Sequence, residues 1–139
     1  QAAWLQLGIT WARMGRDEEA SDAFRMAVAL NNSDVDGLYN LGLSLLKTGH
    51  EDEGLSYMSK ACELSDNPEI AISLGETYYK IGNYKKSSFF FLKAYQKDKT
   101  SPNLIKDLAI SLFQEGDTTR SVFLMRDLLL RFPNNDQYR

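Results

Sequence analysis

The chain has 139 residues, 43% of them apolar and 25% charged, which is the composition of an ordinary globular domain and neither disordered nor fibrous. A net charge of -3 and a pI near 5.2 leave no concentrated positive surface of the kind that displaces counterions from nucleic acid, so nucleic-acid binding is not expected. One cysteine, Cys62, excludes a disulfide framework and a cysteine-rich zinc site, and no apolar run reaches the ~18 residues of a membrane span.

In chain order, residues 3–14 and 17–30 place apolar side chains at three- and four-residue spacing: Trp4, Leu7, Gly8 and Trp11, then Ala20, Phe24, Ala27 and Leu30. Two amphipathic helices are predicted, joined only by Gly15 and Arg16. A glycine there takes the positive φ that ends one helix and reverses the chain into an antiparallel hairpin. Asp17, Glu18 and Glu19 open the second helix, where carboxylates meet the positive end of the helix dipole. Repeat two carries Leu38, Leu41, Gly42 and Leu45, then Gly54, Met58, Ala61 and Leu64, with Ser33 or Asp34 as its cap. Repeat three carries Ala71, Leu74, Gly75 and Tyr78, then Ser87, Phe91 and Ala94. Repeat four carries Ile105, Leu108, Ala109 and Leu112, then Ser121, Met125 and Leu128. Asn67-Pro68 and Ser101-Pro102 are helix starts, a capping side chain followed by a proline that loses no amide partner, and Pro133 is a stop.

Two columns run through all four repeats. Gly8, Gly42, Gly75 and Ala109 form one, Gly15, Gly49, Gly82 and Gly116 the other, and both are spaced by 34, 33 and 34 residues. Such register predicts one helical hairpin stacked four times, over 1–34, 35–67, 68–101 and 102–135 of a single domain 1–139. The first column is steric: helices crossing at about 8 Å leave no room for large side chains, and a mid-helix glycine disfavoured by roughly 1 kcal/mol needs such a reason. Trp4, Leu7, Trp11 and Phe24 are expected to fill the space around the first crossing. The last helix, about 118–131, is expected to leave Leu124, Leu128 and Leu129 uncovered, and a chain opening at Gln1 rather than Met is expected to be cut from a longer one.

These residues resemble the tetratricopeptide repeat family, whose pattern is W-x-x-L-G-x-x-Y followed by small, aromatic and small residues and then proline. Repeat one fits best, although Asn32 stands in the proline position. Repeat four departs most, at Ala109, Ser121 and Leu128, and its packing is expected to be looser or shifted with the fold intact. The resemblance implies an all-α fold, a right-handed superhelix (α-solenoid) of four hairpins whose concave wall is lined by the first helix of each pair. It also implies a protein-binding function, with a peptide or helix held in that groove.

The first-helix faces left over from hairpin packing give the expected wall: Leu5, Ile9 and Ala12; Tyr39, Leu43 and Leu46; Ile72, Glu76 and Tyr79; Lys106, Ile110 and Phe113. This wall is largely apolar, so the expected partner is a peptide or amphipathic helix with apolar anchors; packing of the same residues between repeats is the competing reading. The family's carboxylate clamp for chaperone tails is not expected, since of its positions only Asn40 matches and Glu69 would repel the ligand. On the outer wall Phe89 and Leu92, with Phe123 and Leu130 one repeat on, point outward and suggest a dimer or a second partner surface, against burial by irregular stacking. Charge is uneven: residues 1–67 hold 5 Lys+Arg against 11 Asp+Glu, and 68–139 hold 11 against 8. Solvated faces drift in this way, and head-to-tail stacking or a dipolar partner is the sharper alternative.

No enzyme chemistry is expected. His50, alone of its kind, sits in a turn after Gly49, so no histidine-based metal cluster or Ser-His-Asp triad assembles from this chain. The glycines fit neither a dinucleotide fingerprint nor a phosphate loop, and neither cofactor nor metal is expected. The expected function is a non-catalytic scaffold or adaptor. A chaperone-like holder of secreted or membrane-destined proteins and a targeting or regulatory region of a larger enzyme are the alternatives.

Overall fold

The computed structural model describes residues 2–133. Gln1 and the last two positions of the fourth expected repeat, 134 and 135, lie outside the described residues. Eight α-helices and no strand occupy the described chain: α1 (Ala2–Arg13), α2 (Asp17–Leu30), α3 (Val35–Lys47), α4 (Glu51–Leu64), α5 (Pro68–Ile81), α6 (Tyr84–Lys97), α7 (Pro102–Glu115) and α8 (Thr118–Arg131). The described residues form two compact units, one through residue 66 with α1–α4 and one from residue 67 with α5–α8. The boundary falls where the second repeat gives way to the third.

In the first unit each hairpin turns through a glycine, Gly15 at φ 77° and Gly49 at φ 88°, and the helices meet where side chains are smallest. A Cβ added to Gly8 would lie 2.5 Å from the Phe24 ring. A core cluster of Ala20, Phe24, Leu41 and Leu45 joins the two hairpins, and Leu5, Ile9, Trp11 and Ala12 of α1 pack against it. Trp4 and Leu7, expected in the core, are instead 37% and 41% exposed. The reason is what covers them. Their counterparts Leu38 and Leu41 in α3 are fully buried because α2 of the preceding hairpin lies against α3, and among the described residues α1 has no such helix. Cys62 is buried, as plain packing requires. His50 is exposed at the start of α4, and Asp34 begins α3 without a side-chain cap bond.

In the second unit every helix start is held by a side chain: Asn67 accepts from the Glu69 amide, Asn83 from Lys86, Ser101 from Leu104 and Asp117 from Arg120. Leu74, Ile105, Leu108 and Leu128 are fully buried, each contributing roughly 1.5–3 kcal/mol of transfer free energy. Serine fills the small column here and adds a bond that the pattern does not announce. Ser87 Oγ donates to the Gly75 carbonyl at 2.8 Å and lies 3.0 Å from Ser111 Oγ, and Ser121 Oγ donates to the Ala109 carbonyl at 2.6 Å. The fourth repeat is therefore not loose: Ala109 and Leu128 are 0% exposed and Ser121 is buried with a partner. Of the three leucines expected to lie open on α8, Leu124 and Leu128 are buried against the hairpin and only Leu129 stays exposed.

Candidate functional site: a groove between α5 and α7

The second unit contains a groove of about 530 Å³ lined from α5 by Glu76, Tyr79 and Lys80 and from α7 by Asn103, Lys106, Asp107 and Ile110, with Phe91 of α6 reaching it. Both walls follow from helical spacing. Positions 76, 79 and 80 on one helix and 103, 106, 107 and 110 on the other are i, i+3, i+4 and i+7 stripes, so each set shares one face. Phe91 is 2% exposed and packs its ring against the Gly75 backbone, which fixes that side of the groove. Tyr79 is held edge-on by Tyr84, ring centroids 5.1 Å apart. Ile110 remains 38% exposed.

The electrostatics are mixed rather than apolar. Glu76 and Asp107 face the groove together with Lys80 and Lys106. Burial pushes the Asp107 carboxyl above its ordinary value, and the neighbouring Lys106 charge opposes the shift. Such a lining offers an apolar patch at Tyr79 and Ile110 between charges of both signs.

Of the expected wall, Glu76, Tyr79, Lys106 and Ile110 are thus brought together. Ile72 is half-buried and Phe113 is 59% exposed, and neither lines the groove. In the first unit Leu5 and Ile9 are committed to the core cluster, and Leu46 lies at the α3–α4 crossing, 3.2 Å from where a Gly54 Cβ would stand. Tyr39 and Leu43 are half-buried. Asn103, Asp107, Phe91 and Lys80 were not among the expected wall residues. The signal for the first two was the stripe itself: phasing α7 on 106, 110 and 113 rotates its face away from 103 and 107.

The other expected surface is also placed within this unit. Phe89 is 60% and Phe123 70% exposed, and with Leu92 they line a second groove, between α6 and α8; Leu130, 81% exposed, stands apart from its lining.

A family described as Tetratricopeptide repeat matches residues 35–68 and again 68–99. The α3–α4 and α5–α6 hairpins are tetratricopeptide repeats. Over 85 residues the chain is 31% identical to anaphase-promoting complex subunit 3 of Schizosaccharomyces pombe, an overlap of 60% of this chain and 13% of the relative. It is 25% identical over 135 residues, 96% of this chain and 24% of the other, to a tetratricopeptide repeat-containing protein of Methanocaldococcus jannaschii. The chain therefore spans a quarter or less of the length of these relatives. A solved structure of MamA (AMB-1) superposes with a TM-score of 0.78 at 23% identity, covering 99% of this chain and 75% of that one. At that identity the likeness bears on the tetratricopeptide fold.

Proposed function

We propose that the chain is a non-catalytic protein-binding module and that the α5–α7 groove holds a segment of its partner, a peptide or amphipathic helix with an apolar anchor. The observation that carries this reading is the groove itself, about 530 Å³ with Tyr79 and Ile110 set between Glu76, Asp107, Lys80 and Lys106. An apolar patch rimmed by a few convergent polar groups is the ordinary form of a recognition site. The first unit has less to offer a ligand, because Leu5 and Ile9 are occupied in packing. The name of the Schizosaccharomyces pombe relative, a subunit of a complex, supports a binding role without specifying this chain's partner.

The anchor would seat against Tyr79 and Ile110, and the two charge pairs would select for residues flanking it. A photo-crosslinking amino acid placed at Ile110 is expected to label a bound protein, while the same group at Gln96, exposed on α6, is not. Equal labelling from both positions would remove the groove from consideration.

A further inference from the structure

The second groove of the α5–α8 unit has a chemistry of its own. It measures about 390 Å³, is floored by Leu108, Leu112 and Leu124, and is flanked by the exposed rings of Phe89 and Phe123. Its lining sets Lys85 and Arg120 beside one carboxylate, Glu115 of α7, and the two helices that flank it are mainly basic. Helices α6 and α8 carry seven Lys and Arg side chains and one carboxylate, Asp127. Lys85, Phe89 and Lys93 follow one another at four-residue steps on α6, and Phe123, Arg126 and Leu130 share a face of α8.

The first unit carries the complement. Helices α2 and α4 hold eight carboxylates against two cations, Arg25 and Lys60. On α2 the exposed residues Glu18, Asp22, Met26 and Leu30 fall at successive four-residue steps, so two carboxylates lead into two apolar side chains along one stripe. Met26 is 44% and Leu30 59% exposed.

We propose that the α6–α8 groove of one molecule takes the α2 stripe of a second copy of the chain, Met26 and Leu30 entering between Phe89 and Phe123 while Glu18 and Asp22 meet the Lys85, Lys93 and Arg126 charges. Charge complementarity selects this occupant: helices α6 and α8, which sum to +6 formal charge with Glu115 of α7 at the groove, meet helices α2 and α4, which sum to -6, and both surfaces interleave apolar side chains with their charges. The contact is heterologous, so each copy keeps one unused surface of each kind and association continues head to tail unless the rotation closes a ring.

Sedimentation velocity tests this directly. The wild-type chain is expected to gain mass with concentration at low ionic strength and to lose it as the screening length falls from about 10 Å at 0.1 M to about 3 Å at 1 M salt. Phe89→Glu/Phe123→Glu disables the basic groove and Asp22→Lys/Met26→Lys the acidic stripe. Each variant alone is expected to be monomeric, with association weakened about tenfold or more. Mixed together they are expected to form a one-to-one heterodimer that grows no further, since each retains the surface the other lacks. Lys85→Glu/Arg126→Glu replaces the first variant should circular dichroism report lost helicity. A wild type monomeric at every concentration, either variant self-associating undiminished, or a mixture that stays monomeric would overturn the proposal. So would binding of the monomer to phosphatidylserine vesicles through Phe89 and Phe123 without self-association, which would make the basic groove a membrane contact.

Discussion

Gly42 and Gly54 face each other across α3 and α4 so closely that a Cβ built on either would lie 2.7 Å from the other's carbonyl oxygen. At Gly8 and Gly75 the added carbon would meet the rings of Phe24 and Phe91, whereas here it meets backbone as well as the Met58 side chain.

Gly42→Ala and Gly54→Ala should therefore each destabilise the first unit although alanine is the better helix former by about 1 kcal/mol. Overpacking against an immovable neighbour usually costs about 1–3 kcal/mol, and a net loss toward the upper part of that range is expected. Urea unfolding followed by circular dichroism reads it, and a variant as stable as the wild type would mean that α3 and α4 separate easily.

Ser87→Ala should destabilise the second unit by about 1–3 kcal/mol, because it removes two hydrogen bonds from a buried layer, one to the Gly75 carbonyl and one with the Ser111 hydroxyl. Ser121→Ala removes the matching bond to Ala109 and should have a smaller effect, as one bond is lost instead of two. Ser56→Ala on the exposed face of α4 is the control and should be neutral. Thermal denaturation of the three variants settles the order.

The carboxylates predict opposite responses to pH. Asp107 has its value raised by burial above the ordinary 3.8, so its contribution is fully present below 3.8 and is lost as pH rises through the raised value. Asp107→Asn should accordingly be more stable than wild type at neutral pH, with the difference disappearing in acid. Asp98 is lowered by the Thr100 hydroxyl and amide, and Asp117 by Arg120; their contributions are present above 3.8 and are lost as pH falls through their lowered values. Asp117→Asn should flatten the acid limb of the unfolding midpoint plotted against pH. An unchanged limb would show that the exposed pair with Arg120 is solvated away.

Ile110→Asp should leave the helical signal and the unfolding midpoint almost unchanged, because this side chain is already 38% exposed, while abolishing photo-crosslinking from a probe at Tyr79. Leu5→Asp is the contrasting variant. Its side chain packs against the core cluster, so it should lower the midpoint of the first unit by a few °C or more.

How these positions divide explains what the amino-acid order reveals. The glycine columns locate all four turns, since Gly15, Gly49, Gly82 and Gly116 each adopt positive φ, and Asn67 and Ser101 mark the starts of α5 and α7. Periodicity identifies a face but not what lies across from it. Hence Trp4 and Leu7 read as core and are exposed, while Leu5 and Ile9 read as groove and are packed. A serine in a small-residue column reads only as small, so the bonds of Ser87 and Ser121 are invisible until the carbonyls opposite them are known. The α5–α7 groove was half legible: Glu76, Tyr79, Lys106 and Ile110 come from the pattern, and Asp107 needs the correct rotation of α7.

The hydroxyls of Ser87 and Ser111 also carry a direction. A hydroxyl has one proton, and Ser87 gives its own to the Gly75 carbonyl, so the proton between the two serines comes from Ser111. Donation thus runs one way, from α7 through α6 to α5. A purely apolar layer would accept a one-turn slip of α7 at modest loss, but that slip would break the Ser111–Ser87 link of this relay. The polar thread acts as a registration pin, fixing which residues of α7 are presented opposite α5 and so holding Asp107 and Ile110 across from Tyr79.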